Sequence, residues 1–240
     1  MPTDLYLAPA ASGKTAYLVA RARELAQGLH ALPRVVVPSQ LQARAWQQRL
    51  AASGGALGVR VGTFDTLYRD VLAAAGVTVI RLSDPIQYRL LRALSAEAEL
   101  THYAPLRAMP GFVQAVHELI RELKAGGVEP EAFAEAVVAM GNEPRLAELA
   151  QLYRAYQARL QAHGWADFAG IGWLAAETLE QHPDVGRAWP ALLVDGFDDL
   201  TTVQRRVLRL LAPRVGELTL TLTGNPQSDP RPTVHQRFIR

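Results

Sequence analysis

The chain has 240 residues and a formal net charge of +2 at pH 7, and 49% of its residues are hydrophobic. This length and composition are typical of one large or two modest globular domains, and so small a net charge gives no overall electrostatic footprint for nucleic acid. The absence of cysteine excludes disulfides and thiolate metal sites, and no apolar run approaches the ~18 residues of a membrane span. Because the N-terminus has no basic segment before its apolar part, a secretory signal is not expected, and we predict a cytoplasmic protein.

The first 80 residues alternate between short apolar runs and helical patterns. The apolar runs predict strands at 4–7, 34–37 and 59–62, and the periodic segments predict helices at 14–27, 40–51 and 64–75. Strands that alternate with helices at this spacing predict an α/β fold with a parallel, doubly wound sheet.

The pattern changes in the middle of the chain and returns near its end. Residues 84–182 are predicted to be almost entirely helical, with Asn142 as the cap of a long helix that ends at Gly164. Strand patterns return at 191–195 and 217–223, on either side of a predicted helix at 201–211.

These changes of pattern predict two domains. We expect an α/β lobe of residues 1–80 and 188–228, interrupted by a helical insertion at 81–187. Residues 229–240 are predicted to be a tail that continues into a longer protein, because the sheet would otherwise stop unfinished.

A candidate phosphate-binding loop joins the first strand to the first helix. Its sequence is Ala8-Pro9-Ala10-Ala11-Ser12-Gly13-Lys14-Thr15, which fits the pattern G-x-x-x-x-G-K-[ST] except that Ala8 replaces the first glycine. Backbone N–H groups and the helix dipole favour an anion there. The pattern predicts nucleotide contacts from residues 10–15, with Lys14 neutralising the β- and γ-phosphates and the Thr15 hydroxyl binding Mg²⁺. Ala8 carries a cost only if its position requires a positive φ.

The lysine in this loop is unusual for the chain. Lys14 and Lys124 are the two lysines among 25 basic residues, and all the others are arginine. A compact ammonium suits a phosphate loop better than a planar guanidinium does, so the exception favours a binding site over an ordinary turn.

A second candidate ligand for the metal follows a later strand. Asp195 ends the apolar run 191–195, which is where an Mg²⁺-binding carboxylate of such a site is expected. The alternative is an aspartate that merely caps the turn after its strand.

Five segments occur in the order of the motifs of UvrD-like helicases: APAASGKT, RVVVPSQLQARAWQQRL, VGTFDTLYRDVL, LLVDGFDDLTTVQ and LTGNPQ. Together they resemble, in particular, the N-terminal helicase-like part of the AddB subunits of AddAB helicase–nucleases. The resemblance implies a P-loop NTPase lobe of RecA-like fold that uses ATP and Mg²⁺. It also implies DNA, either single-stranded or as a duplex end, and a second helicase–nuclease subunit as partners.

The resemblance also assigns individual residues. Gly13, Lys14 and Thr15 resemble the triphosphate and Mg²⁺ site, and Asp195 resembles the Walker B aspartate. Active helicases have a glutamate next, which positions the attacking water, but this chain has Gly196. Weak catalytic candidates remain around these motifs, namely Asp198, Gln204 and Gln227.

Two further segments resemble those that meet single-stranded DNA in this family. They are Pro38-Ser39 and Thr63-Phe64, where a hydroxyl would contact phosphate and an aromatic ring would stack on a base. The alternative for Phe64 is a core aromatic residue at the start of a helix.

Two other functions stay open at this point. One is a scaffold with a vestigial nucleotide site whose helical insertion contacts a helicase partner. The other is a small-molecule P-loop kinase with a helical lid, although the segment VDGFDDLTTVQ does not favour it. The chain offers no room for a second motor lobe and no carboxylate–lysine cluster of a nuclease, so whether it is an enzyme is left undecided.

Overall fold

The computed structural model describes residues 3–9, 11–27 and 32–224 of the chain. Its contacts divide the protein into two compact units, Met1–Val77 with Leu174–Arg240 (the sheet unit) and Thr78–Trp173 (the helical unit). The domain bounds expected from the sequence, with the insertion at 81–187, stay a prediction, and the division into compact units falls at 173/174, inside a helix. The second half of this helix falls in the sheet unit, and its Ala175, Ala176 and Leu179 are fully buried.

The described part of the sheet unit is built on five parallel strands, which lie side by side in the order β1 (Thr3–Ala8), β7 (Leu218–Thr223), β6 (Leu192–Phe197), β2 (Arg34–Val36) and β3 (Arg60–Gly62). The α/β class and the parallel sheet that the sequence predicts are therefore confirmed. The helices that accompany these strands are α1 (Lys14–Ala26), α2 (Gln40–Ala52), α3 (Phe64–Ala74), α9 (Thr202–Leu211) and the second half of α8 (Phe168–Gln181).

Two helices cover one face of the sheet and bury its central strands. Leu18 and Ala22 of α1 and Trp46 of α2 pack against Val35 of β2 and Leu193 of β6. Burial of aliphatic and aromatic side chains of this kind is worth about 1.5–3 kcal/mol each, so this layer fixes both helices on the sheet.

The helical unit contains four long helices and a two-stranded ribbon. Its elements are β4 (Ile80–Arg81), α4 (Asp84–Glu97), α5 (Pro110–Ala125), α6 (Pro130–Ala139), α7 (Pro144–Ala162), β5 (Trp165–Ala166) and the start of α8. All four helices carry proline at their first or second position, where its fixed φ suits a helix and its missing N–H costs nothing. None of the described helices is long and apolar enough to span a bilayer.

Two features of the helical unit differ from the sequence predictions. The ribbon pairs Ile80 with Trp165. The sequence did not predict it, because each of its strands has only two residues, too few to show the alternation of a strand. Asn142 does not cap α7, whose N-cap is Glu143. Asn142 instead has a left-handed backbone, with φ of 54°, and its N–H donates to the Val137 carbonyl at the end of α6. Asparagine tolerates this conformation better than most residues, which explains its place there.

A buried lysine ties together three elements of the helical unit. Lys124 of α5 is fully buried, and its ammonium donates to the Asp167 carboxylate at 2.8 Å and to Gln157 of α7 at 2.9 Å. Burial lowers the pKa of the Lys124 ammonium, and Asp167 opposes that shift. The second lysine of the chain thus serves the packing of the helical unit.

A buried carboxylate holds the segment that follows α4. Glu148 of α7 accepts hydrogen bonds from the backbone N–H groups of Thr101, His102 and Tyr103, at 2.6–2.9 Å, and from the Thr101 hydroxyl at 2.7 Å. Burial raises the pKa of the Glu148 carboxyl, but these four donors outweigh it and lower the pKa to about 2.

We predict that Glu148→Gln destabilises the protein by about 1–3 kcal/mol at neutral pH, because an amide can accept from these donors with only one atom. The folded-state pKa of about 2 lies below the ~4.3 of an ordinary glutamate, so the carboxylate contributes its full stability only above about pH 5. The stability difference should therefore shrink as the pH falls from about 5 towards 2. Urea unfolding followed by circular dichroism measures it, with the exposed Glu135→Gln as the matched control. An equal effect of both variants would contradict the prediction.

Candidate functional site at the carboxyl edge of the sheet

The parallel strands bring the predicted site residues to one edge of the sheet. Because all five strands run the same way, the residues that follow or end them lie along the same edge, which is where α/β proteins bind ligands. In strand order, this edge carries the loop after β1, then Thr223 of β7, Asp195 and Gly196 of β6, Ser39 after β2 and Thr63 after β3.

The conformation of the loop between β1 and α1 explains why Ala8 can replace the first glycine of the phosphate-loop pattern. Ala8 is the last residue of β1, paired with Thr223, and has no positive φ. An alanine is therefore free of backbone strain at this position. Among the described residues of the loop, Ala11, with φ of 58°, and Gly13, with φ of 88°, have left-handed backbone. The predicted contact Ala10 lies outside the described residues.

Lys14 is bound by its own loop. Its ammonium donates to the carbonyl oxygens of Ala8 and Pro9, at 2.8 and 2.6 Å, and lies 3.4 Å from the Ser12 hydroxyl oxygen. An ammonium has three donors, so an anion that binds Lys14 must displace at least one of these partners.

The N-terminus of α1 lacks the usual side-chain capping. Gly13 at the N-cap provides no side-chain acceptor, and the first turn contains no acidic residue. In α2, by contrast, the Ser39 side chain accepts from the Gln42 N–H. The first N–H groups of α1 and its dipole are therefore available to an anion in the loop.

Asp195 lies opposite the loop and is held by two neighbours. Its side chain is only 3% exposed. The Trp46 indole N–H donates to Oδ2 at 3.1 Å, and the Thr221 hydroxyl donates to Oδ1 at 2.6 Å. These bonds from α2 and β7 fix the orientation of the carboxylate, and each oxygen keeps a second lone pair.

A cleft of about 430 Å³ brings these groups together. It is lined by residues 11–16 of the loop and α1, by Asp195 and Gly196 of β6, by Thr223 of β7 and by Arg49 of α2. Thr15 and Asp195, the two predicted Mg²⁺ ligands, thus line the same cleft. No described residue forms an ion pair or hydrogen bond with the exposed Arg49 guanidinium, which adds a second positive charge to Lys14.

Arg49 was not among the site residues predicted from the sequence. It lies thirty-five positions beyond Lys14 in an arginine-rich helix, and no local pattern distinguishes it from its neighbour Arg44. Only the packing of α2 against α1 and β6 brings it to the loop.

Gly196 occupies a bulge in β6. Val194 pairs with Leu220 and Phe197 with Leu222, so Asp195 and Gly196 together oppose Thr221 alone. Gly196 has φ of 77°, in the left-handed region that other residues enter at a cost of about 1–2 kcal/mol. The residue that replaces the glutamate of the family pattern is therefore also the residue that the local backbone favours.

The weak catalytic candidates do not join the cleft. Asp198 is exposed in the loop after β6 and is absent from the described lining of the cleft. The Gln204 side chain caps α9, because its Oε1 accepts from the Thr201 N–H at 2.8 Å. Gln227 lies outside the described residues. Across the described ranges, no three histidine, aspartate or glutamate side chains form a group that could hold a metal ion.

The predicted DNA contacts lie farther along the same edge. Pro38 and Ser39 are at the end of β2, where Ser39 is exposed, and Thr63 is half-buried at the N-cap of α3. Phe64 is only 3% exposed and packs edge-on against Phe197, with ring centroids 5.2 Å apart. Its position is the one that the core interpretation predicts, and its ring faces are not open to a base in this structure.

The chain is thus an α/β protein whose parallel sheet has a cleft with two basic side chains, Lys14 and Arg49, at its carboxyl edge. The family model described as "ADDB, N-terminal" matches residues 5–239. Since this match covers nearly the whole chain, the chain belongs to the family of AddB N-terminal domains.

Three curated proteins are similar to this chain, at 25–28% sequence identity. The chain is 28% identical over 243 residues to the B subunit of the ATP-dependent helicase/deoxyribonuclease of Moorella thermoacetica, covering 94% of this chain and 21% of that protein. It is 25% identical over 198 residues to the protein of the same name from Alkaliphilus metalliredigens, covering 79% and 17%. It is 26% identical over 236 residues to the ATP-dependent DNA helicase PcrA of Leuconostoc citreum, covering 90% and 30%. The chain therefore spans less than a third of the length of each of these relatives.

We predict that Gly196→Ala destabilises the sheet unit by about 1–2 kcal/mol, because alanine is strained at this φ. Gly196→Asn should cost less, since asparagine tolerates left-handed backbone. Gly111→Ala is the matched control: Gly111 lies in α5 with open space around it, so alanine should stabilise the protein by up to about 1 kcal/mol. Urea unfolding measures all three. A stabilising Gly196→Ala would show that this residue is not left-handed.

Proposed function

We propose that this chain is the helicase-like N-terminal part of an AddB-type subunit of a cytoplasmic helicase–nuclease that acts in DNA repair. In this proposal its sheet unit is a RecA-like P-loop lobe that binds ATP–Mg²⁺ and single-stranded DNA, with weak or no hydrolysis by itself. The observation that carries the proposal is the shared cleft of Lys14, Thr15 and Asp195, in the fold and in the order that the family pattern requires. A second helicase–nuclease subunit would be its partner.

The residues of the cleft fit a magnesium ion that bridges to phosphate. Mg²⁺ usually keeps several waters and takes one or two protein oxygens together with phosphate oxygens. Thr15 would supply a hydroxyl, and Asp195 would supply a carboxylate that is already oriented by Trp46 and Thr221. The ion would neutralise phosphate charge, while Lys14 and Arg49 would bind the same phosphates directly.

Weak or absent hydrolysis follows from what the cleft does not offer. Asp195 is the one carboxylate among the described lining residues, and both of its oxygens already accept hydrogen bonds within the protein. A metal-binding aspartate cannot also act as the base that orients water. The position of the helicase glutamate is Gly196, which has no side chain to do so.

We predict that Lys14→Ala weakens ATP–Mg²⁺ binding about 10- to 100-fold, because it removes charge-assisted hydrogen bonds to phosphate. Arg49→Ala should weaken binding about tenfold, whereas Arg44→Ala, on the same helix but away from the cleft, should stay within about twofold. Titration calorimetry measures each affinity.

Two results would contradict the nucleotide site. If the native chain binds no ATP–Mg²⁺, the loop is vestigial and the scaffold function is favoured. If Arg44→Ala weakens binding as much as Arg49→Ala does, the effect comes from overall charge rather than from the cleft.

We place single-stranded DNA against the exposed ends of β2 and β3. Ser39 and the neighbouring Leu41, which is 77% exposed, form a surface with Pro38 beside Thr63. Backbone N–H groups at the start of α2 and the Ser39 hydroxyl would meet phosphate, as helix N-termini do. The buried Phe64 would support Thr63 from below rather than stack on a base.

We predict that Ser39→Asp lowers the affinity for single-stranded DNA about 3- to 10-fold at low salt, because a carboxylate repels the phosphates. The substitution leaves the fold intact, since aspartate caps a helix as well as serine does. Fluorescence anisotropy with an oligo(dT) of about 16 nucleotides measures it. Ser83→Asp, at the N-cap of α4 in the helical unit, is the control. An unchanged affinity of Ser39→Asp would exclude DNA from this surface.

A further inference from the structure

The strand β7 carries threonines on the face that meets the candidate cleft. Leucine and threonine alternate from Leu218 to Thr223, and side chains point to opposite faces along a strand, so the three threonines share one face. Thr219 and Thr221 are each 1% exposed, whereas Thr223 is half-buried at the end of the strand. The last of the three is therefore the one that lines the cleft.

The hydroxyls of the first two threonines have partners within the protein. Thr219 donates to Glu217 Oε1 at 3.0 Å. Thr221 donates to Asp195 Oδ1 at 2.6 Å. The Thr223 hydroxyl, by contrast, has no hydrogen-bond partner among the residues that the structure describes. Thr223 thus adds to the cleft a hydroxyl group that can donate a hydrogen bond to a ligand.

In strand order, Thr223 lies between the phosphate loop and Asp195. β7 is the strand between β1, which leads into the loop, and β6, which carries Asp195. Thr223 pairs with Ala8, the last residue of β1. The Ala8 carbonyl accepts from the Gly224 N–H at 3.1 Å and from the Lys14 ammonium at 2.8 Å, which ties the end of β7 to the lysine of the loop. A phosphate group that bridges Lys14 and a metal ion on Asp195 would therefore pass over Thr223.

We propose that the Thr223 hydroxyl binds the terminal phosphate of a nucleoside triphosphate. This inference rests on the proposed nucleotide-binding function and names the residue by which the cleft distinguishes a triphosphate from a diphosphate. The inner phosphates are bound by the N–H groups of the loop and of α1, on the β1 side of Thr223. The terminal phosphate extends towards Asp195, and there the hydroxyl donates a charge-assisted hydrogen bond to one of its oxygens.

The test compares two ligands that differ only in the terminal phosphate. Titration calorimetry with Mg²⁺ measures the affinities of ATP and ADP for the native chain, Thr223→Val and Thr223→Ser. Valine has the shape of threonine and suits a strand, but it lacks the hydroxyl. Because it removes a hydrogen bond to a charged group, Thr223→Val should weaken ATP binding about tenfold, while ADP binding stays within about twofold. Thr223→Ser, which keeps the hydroxyl, should bind ATP within about threefold of the native chain.

Controls separate this proposal from the one on which it rests. Thr219→Val changes a threonine of the same strand and face whose hydroxyl bonds Glu217, so it should leave the ratio of ATP to ADP affinity unchanged. Thermal unfolding checks that each variant folds.

The role of Thr223 is overturned, while the nucleotide site stands, if Thr223→Val binds ATP as tightly as the native chain does or loses ATP and ADP affinity equally. It is also overturned if Thr223→Ser loses ATP affinity as Thr223→Val does, since the hydroxyl is then not the group that matters. If the native chain binds neither nucleotide, both proposals fail.

Discussion

The Asp195 carboxylate joins the parts of the sheet unit on which the candidate site depends. It is buried at the bulge of β6, and its two oxygens accept from Trp46 of α2 and Thr221 of β7. A buried carboxylate is costly unless its acceptors are satisfied, so these donors fix where α2 and β7 lie relative to β6. The same packing brings Arg49 of α2 to the loop that contains Lys14. One side chain thus serves both the architecture of the unit and the charge pattern of its cleft.

Much of the fold was predictable because its signals are local. Apolar runs bounded by proline and glycine mark the strands, and four prolines mark the starts of helices in the helical unit. The errors come from signals that are weak or ambiguous. The β4–β5 ribbon has only two residues in each strand, so its pairing depends on tertiary contacts. Asn142 suits both a helix cap and a left-handed turn, and only the position of Gly141 and Val137 decides between them.

The sequence predicted which residues belong to the candidate site better than it predicted their backbone conformation. Lys14, Thr15 and Asp195 follow from motifs, and the parallel sheet brings them together, while their roles remain predictions. That Ala8 ends a strand without strain, and that Gly196 occupies a left-handed bulge, requires backbone geometry that a motif does not contain. Arg49 requires tertiary packing, and the burial of Phe64 against Phe197 requires knowledge of which face of α3 meets the sheet.

If the proposed function is correct, this cleft holds a nucleotide but lacks the group that activates water. The most direct test is to measure nucleotide occupancy and phosphate release in the same sample, at saturating ATP–Mg²⁺, with and without single-stranded DNA. We expect full occupancy, with phosphate release that is either undetectable or far slower than about 1 s⁻¹. Turnover at about 1 s⁻¹ or faster, as is ordinary for enzymes, would contradict it and would show that a residue other than one at position 196 performs the catalysis.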